Sequence, residues 1–363
     1  MSDERPESDR VPGAPHPRQA PAVIGHDRAA ADFLASADAH RLHHAWLITG
    51  PRGVGKATLA WAITRWLLAD GAPDQLSIPA DDPITRRMMA LSEPRLHLVR
   101  RGFDDKTGRL KAEIGVDDIR ALLSFFHMSA AEGGRRVAIV DAADDLNGSA
   151  ANALLKMLEE PPKGGVILLI AHQPARLLPT IRSRCRELRL SPLSPGDMGQ
   201  ILRDLGVEDD AEALAALSGG SVGEALRLSG QDGLKSYGQI VDLFATLPRF
   251  DRQKARDLAE AAGGRATTDG DPFDLRVTLL DRFLTRLARA GLMGAPIPEA
   301  ARGEGALMAR LCPDAHAARI WAGAQAELSA RARAGRAVNL DPAALVMDML
   351  IQLAGVAPAH VKA

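Results

Sequence analysis

Cysteine is scarce in this chain of 363 residues: Cys185 and Cys312 are the two present. Two thiols cannot build a disulfide framework or a four-thiolate zinc site. Net charge is lacking as well, with 45 basic side chains against 46 acidic ones and a formal charge of −1. No global positive field marks the chain as a nucleic-acid binder, and any such surface has to be a local patch. Long apolar runs are also missing. No stretch of about 18 apolar residues offers a membrane span, and no apolar core follows the N-terminus as in a signal peptide, so the expectation is a cytoplasmic protein. The rest is ordinary for a soluble globular chain, with 46% hydrophobic and 25% charged residues over a length that suits two or three domains.

Two stretches stand out against that background. GPRGVGKAT, from Gly50 to Thr58, has Gly50, Gly53, Gly55 and Lys56 at the spacing of a P-loop. In such a loop a glycine-rich turn directs backbone N–H groups at phosphates, and a lysine on the next helix reaches the terminal ones. The residue after the lysine should offer a hydroxyl to magnesium. Here it is Ala57, with Thr58 one place further on, and one position along a helix turns a side chain by about 100°. The second stretch, RRVAIVDAADDLN from Arg135 to Asn147, ends an apolar strand in Asp141, a carboxylate suited to the magnesium side. Ala142 comes next, where an ATPase of this kind carries a glutamate to polarise the attacking water. A methyl group neither orients nor deprotonates water. Plain structural readings stand beside these: the glycines as a strand-to-helix turn, and Asp141 as a strand-end or helix-capping carboxylate.

The pattern along the chain is α/β at first and helical later. Residues 1–21, rich in proline and charge, read as a disordered tail. Strands are expected at 45–49, 96–99, 137–140, 166–171 and 188–190, separated by helical stretches, which implies a parallel sheet covered on both faces. A helix from Lys56 to Leu68 should bury Leu59, Ile63, Trp66 and Leu67. The helix Val116 to His127 should bury Ile119, Leu122, Leu123 and Phe126, after a mobile connection around Asp104, Asp105 and Gly108. Asn147 or Ser149 should cap a helix that buries Ala150, Ala153, Leu154, Met157 and Leu158 and stops at Pro161–Pro162. Residues 71–83 read as a loop, and SPLSPGD at 191–197 as a domain boundary. Cys185 reads as a buried small hydrophobe, and His97 and His172 as hydrogen-bonded histidines without ligand spacing.

HHAWLITGPRGVGKATLA (His43 to Ala60), VDAADDLNGSAANALLKMLEEPP (Val140 to Pro162) and SRC (Ser183 to Cys185) together resemble the clamp-loader subunits of bacterial DNA polymerase III, which are AAA+ proteins. The likeness covers Val23 to about Leu190 and continues more weakly through GGSVGEAL, Gly219 to Leu226. It implies a P-loop AAA+ α/β domain at 22–191, a small helical lid at 192–233 and an all-α C-terminal oligomerisation collar at 234–363. Carried over position by position, Lys56 and the loop glycines form the phosphate cradle, and Asp141 is the magnesium-side carboxylate. Ala142 stands where the motor subunit has its catalytic glutamate. His172 and Gln173 stand where that subunit senses the terminal phosphate, and Gly223 stands where the lid presents an arginine. Arg184 of SRC is intact, and in the family that arginine points at the nucleotide of the neighbouring subunit. A solvated arginine face is its plain alternative.

The resemblance therefore implies a member that does not hydrolyse ATP itself, with a weak or vestigial ATP–magnesium site. The family often inserts a four-cysteine zinc module after the P-loop helix; Ala69 to Arg100 has no cysteine, so no zinc is expected. Implied partners are the ATPase motor and delta subunits in a hetero-oligomeric ring and, through that assembly, the sliding clamp and primed DNA, with no membrane. A catalytically active motor subunit of the same complex is the alternative, and it needs a water-activating residue that Ala142 does not supply. A small-molecule kinase or signalling NTPase would need an acceptor lid or catalytic base, and the SRC motif with a long helical C-terminal region fits it poorly.

Overall fold

β-Branched and leucine-rich runs become strands where their pattern predicts them. A computed structural model describes residues 7–11, 14–38, 42–72, 75–127, 134–265 and 270–356. The first compact unit comprises residues up to Asp197 together with Ser221–Gly223. Its strands are β1 (Ala45–Thr49), β2 (Leu96–Arg100), β3 (Arg136–Asp141), β4 (Gly165–Ala171) and β5 (Arg186–Arg189). They form one parallel sheet in the order β2-β3-β4-β1-β5. Its helices are α1 (Asp27–Asp38), α2 (Lys56–Leu68), α3 (Pro83–Met89), α4 (Val116–His127), α5 (Gly148–Glu159) and α6 (Pro179–Arg182).

Alternation along each strand divides the core between the two sheet faces. Trp46, Ile48, Ile139 and Leu168 face one cluster with Phe33 of α1, Leu59 and Trp66 of α2, and Met88 of α3. Leu47, Val140, Ile167 and Leu169 face the other, with Ile119 and Leu122 of α4 and Leu154 and Met157 of α5. Both faces are covered, as a parallel sheet requires. Asn147 is the cap of α5, its side chain accepting from the Ala150 N–H at 2.9 Å.

Several local expectations shift. Phe125, not Phe126, is the buried phenylalanine of α4, and Phe126 packs beside it half-buried. In α5 the buried alanines are Ala150 and Ala151, with Ala153 only partly covered. The stretch read as a loop at 71–83 runs directly into α3, capped by Asp82. The expected mobile connection folds as a short antiparallel hairpin, Phe103–Asp104 with Arg109–Leu110, turned at Gly108. Residues 7–11 and 14–21, within the stretch read as a disordered tail, hold a 3-10 turn at Pro17–Gln19 and a set of ion pairs. Their charges are matched by partners far along the chain, which a composition reading does not see.

The second unit comprises Met198–Gly220 and the residues from Glu224 onward. It is helical among its described residues: α7 (Pro195–Asp204, which straddles the unit boundary), α8 (Ala211–Ser218), α9 (Val222–Gly230), α10 (Gly233–Ala245), α11 (Arg252–Glu260), α12 (Pro272–Met293), α13 (Glu304–Leu311), α14 (Ala315–Ala337) and α15 (Pro342–Val356). The expected lid and collar stretches cluster together here. Phe244, Phe283 and Trp321 stack in its core. No helix among the described residues is long and apolar enough to cross a membrane.

One buried ionic knot ties α10, α12 and α13. Glu304, wholly sealed from solvent, accepts from Arg286 Nε at 2.7 Å and Nη2 at 2.9 Å, from the Ala300 N–H at 2.7 Å, and from the Tyr237 hydroxyl. Removing one member of such a knot leaves the others buried and unpaired. Glu304→Ala should destabilise the helical unit by about 3–5 kcal/mol, read as faster hydrogen exchange along α12, and Glu304→Gln should cost less.

Candidate functional site

The five strands end together, and the turns that leave them gather at one rim of the sheet. In the register Thr49 lies beside Ala171 and Arg189, and Asp141 lies beside Arg100 and Ile170. In open α/β sheets ligands bind outside the carboxyl ends of the strands. From β1 the chain turns through Gly50–Gly55 into α2. Gly50 has φ 143°, and a Cβ there would meet the Leu190 carbonyl at 2.5 Å. Gly53 has φ 78°, and a Cβ there would stand 2.3 Å from the Ser221 hydroxyl. Both positions need glycine for space as well as conformation.

Three contacts brace the loop. Ser221 Oγ donates to the Arg52 carbonyl at 2.9 Å, the Gly223 N–H donates to the Gly53 carbonyl at 3.2 Å, and His26 Nε2 bonds the Val54 carbonyl at 2.6 Å. The first turn of α2 begins at Gly55 with no side-chain cap, so its backbone N–H groups are available to an anion. Lys56 is buried, and its ammonium donates to the Gly50 carbonyl at 2.8 Å and the Pro51 carbonyl at 2.6 Å. Burial pulls its pKa down to about 8, against the opposing pull of Asp141 and Asp144. Ala57 packs against the apolar core, and Thr58 is half-buried in the next position of the helix.

Asp141 closes the other side. Burial first, and then the negative charge of Asp9, raise its pKa to about 7, with Lys56 opposing both. Ala142 and Ala143 come next, both buried. Asp144 accepts from the His172 N–H at 2.9 Å and the Gln173 N–H at 3.2 Å, fastening the end of β4 to the turn after β3. His172 is pushed down to about 4, by burial first and then by Lys56. Its buried Nδ1 has no hydrogen-bond partner among the described residues, which corrects the expectation of an ordinary bonded histidine. His97 instead stacks on Phe125, ring centroids 5.2 Å apart.

The structure thus brings Gly50, Gly53, Gly55, Lys56 and Asp141 to one rim, with Ala57 and Ala142 at the positions that should carry a hydroxyl and a carboxylate. Arg184 stands in different surroundings. Its guanidinium pairs with Glu159 at the end of α5 at 2.8 Å and donates to the Thr180 carbonyl at 3.2 Å, with 37% of the side chain exposed. Cys185, expected to be buried, is half-buried, and burial pushes its thiol up to about 12, so it is unreactive as a nucleophile.

Residues 25–194 match the family model described as DNA polymerase III, delta subunit. The DNA polymerase III subunit delta′ of Pseudomonas aeruginosa is 37% identical over 202 residues, covering 55% of this chain and 60% of that protein. The delta′ subunit of Bacillus subtilis is 34% identical over 215 residues, covering 58% of this chain and 62% of that protein. The chain thus spans about three fifths of the length of these relatives. The family match falls within its α/β unit. The gamma/tau subunit of Mycobacterium tuberculosis matches at 28% identity over 286 residues, covering 72% of this chain and 48% of that protein.

Sequence reasoning missed several residues that shape this site. Asp144 is one of two adjacent aspartates with no signal to separate it, and Ser221 and His26 reach the loop from remote positions. Asp9 lies in a stretch whose composition reads as disordered. The buried pair Lys56 and Asp141 has a measurable pH signature. Asp141 holds its proton in the folded chain between its unfolded value near 4 and about 7, so stability falls as pH rises through that window. Lys56 loses its proton early because burial favours the neutral amine in the fold, so stability rises again between about pH 8 and its unfolded value near 10. Asp141→Asn should leave urea-unfolding stability nearly unchanged at about pH 3.5, below both values, and raise it at pH 8 by on the order of 1 kcal/mol or more.

Proposed function

We propose that this chain is a non-hydrolysing subunit of the DNA polymerase III clamp loader, comparable to delta-prime. In this reading it sits in a ring with ATPase motor and delta subunits, helps place the sliding clamp on primed DNA during replication, and lends Arg184 to the ATP site of a neighbouring motor subunit. One observation carries the reading: Ala142 comes directly after Asp141 at the end of β3, inside an otherwise well-formed phosphate cradle.

The residues at the rim fit a phosphate and do not fit magnesium-assisted hydrolysis. Lys56, the glycine turn and the uncapped start of α2 supply positive charge and N–H donors. Against that, Ala57 offers no hydroxyl, and no carboxylate comes directly after Asp141 to polarise water. The site in this chain is therefore a weak or vestigial holder of ATP, and no step of hydrolysis runs through its residues. The competing reading, an active motor subunit, draws on the gamma/tau match and founders on position 142.

An arginine donated in trans stabilises charge on the transferred phosphoryl group, worth on the order of 10³ to 10⁵ in rate in GTPase examples. Arg184 suits that task, since its pairing with Glu159 is partly exposed and such pairs hold a side chain by only about 0–1 kcal/mol. In a reconstituted clamp loader, Arg184→Ala should leave assembly intact and lower ATP turnover several-fold, with Arg184→Lys recovering little of it. Unchanged turnover in the Arg184→Ala assembly contradicts the assignment.

A further inference from the structure

Residues 7–11 and 14–20 make contacts that a disordered tail has no reason to make. Arg100 ends β2 in register with Asp141 on β3. Its guanidinium donates to Glu7 at 2.8 Å and to Asp9. The Asp9 side chain is 0% exposed and also bonds His16 Nε2 at 3.0 Å. Arg18 adds a bond to Glu7 at 3.1 Å, and Ser8 Oγ donates to the Arg101 carbonyl at 3.3 Å. The segment is moored on α2, where the His16 ring meets Trp61 edge-on at 5.6 Å and Arg65 donates to the Ala20 carbonyl at 2.9 Å.

From that mooring the segment reaches the P-loop. A Val11 methyl lies 3.2 Å from where a Cβ on Gly223 would stand, and Gly223 is the residue whose N–H bonds the Gly53 carbonyl. Asp9 also sets a second negative charge within electrostatic reach of Asp141. Glu7, Asp9 and His16 place ligand atoms within 4.8 Å of one another, yet Arg100 and Arg18 already supply the positive charge, so the cluster needs no cation. Its partners are two strand-end and segment arginines, which makes it a clasp.

We propose that residues 7–11, moored through residues 14–19, form a strap across the mouth of the P-loop, held by the clasp of Glu7 and Asp9 on Arg100, and that a nucleoside triphosphate binds only when the strap is released. The proposal rests on the reading of Gly50–Lys56 as a phosphate cradle. Strap and ligand exclude each other by space: Val11 stands against Gly223, the residue that also touches Gly53 of the loop. An equilibrium that keeps the strap closed about 90% of the time weakens apparent binding about tenfold.

The test uses the full chain with Glu7→Gln and Asp9→Asn together, which loosens the clasp without changing size. Hydrogen exchange at residues 7–20 reports release, and fluorescent ATP without magnesium reports binding. Faster exchange with affinity improved about tenfold, abolished again by adding Lys56→Ala, is the expected result. Faster exchange with affinity equal to the parent's overturns the strap and leaves the cradle standing. Improved binding that survives Lys56→Ala places the ligand elsewhere and overturns both. A released strap with no binding in either protein also overturns the proposal, since the strap is then not what closes the site.

Discussion

Lys56 and Asp141 are buried together at the carboxyl ends of β1 and β3, and each loses solvation that it recovers only in part from the other. The parallel sheet imposes this. β1 lies between β4 and β5, and β3 lies on the far side of β4, so the turn after β1 and the turn after β3 open onto the same rim. In an ATPase the cost of that burial is offset when magnesium and phosphate bring in matching charge. Here Lys56 turns to the carbonyls of its own loop, and Asp141 meets the further negative charge of Asp9. The site keeps its shape with alanines at positions 57 and 142.

Much of the α/β unit was legible from sequence because its signals are local. The strand at 45–49 and the helices at 56–68 and 116–127 match their expected bounds, since apolar period, glycine turn and proline stop all lie within a few residues of each other. The glycine turn into α2 was equally plain, because glycine and lysine spacing are chain-local properties. What escaped were choices among near-equivalents and partnerships at long range. Phe125 and Phe126 are adjacent on α4, and only packing against His97 and Leu122 decides which is buried deeper. Glu7 and Asp9 look like solvated charges until Arg100, more than ninety positions away, is folded beside them.

The α-helical unit was legible as a class and not in its particulars. Its helices follow apolar periodicity, whereas the Glu304, Arg286 and Tyr237 knot joins residues whose pairing no local pattern announces. Its match to relatives is also thinner, since the family model ends at residue 194. The physics is the same in both units: buried charge survives only where opposite charge and N–H donors are built around it.

At the rim of the sheet a methyl group sits where water would have to be activated, while Arg184 stays partly exposed on a separate part of the unit. The most direct measurement is phosphate release by the purified full chain, alone, with saturating ATP and magnesium. Release no faster than the spontaneous background is the predicted result. Sustained turnover that Lys56→Ala abolishes would contradict it.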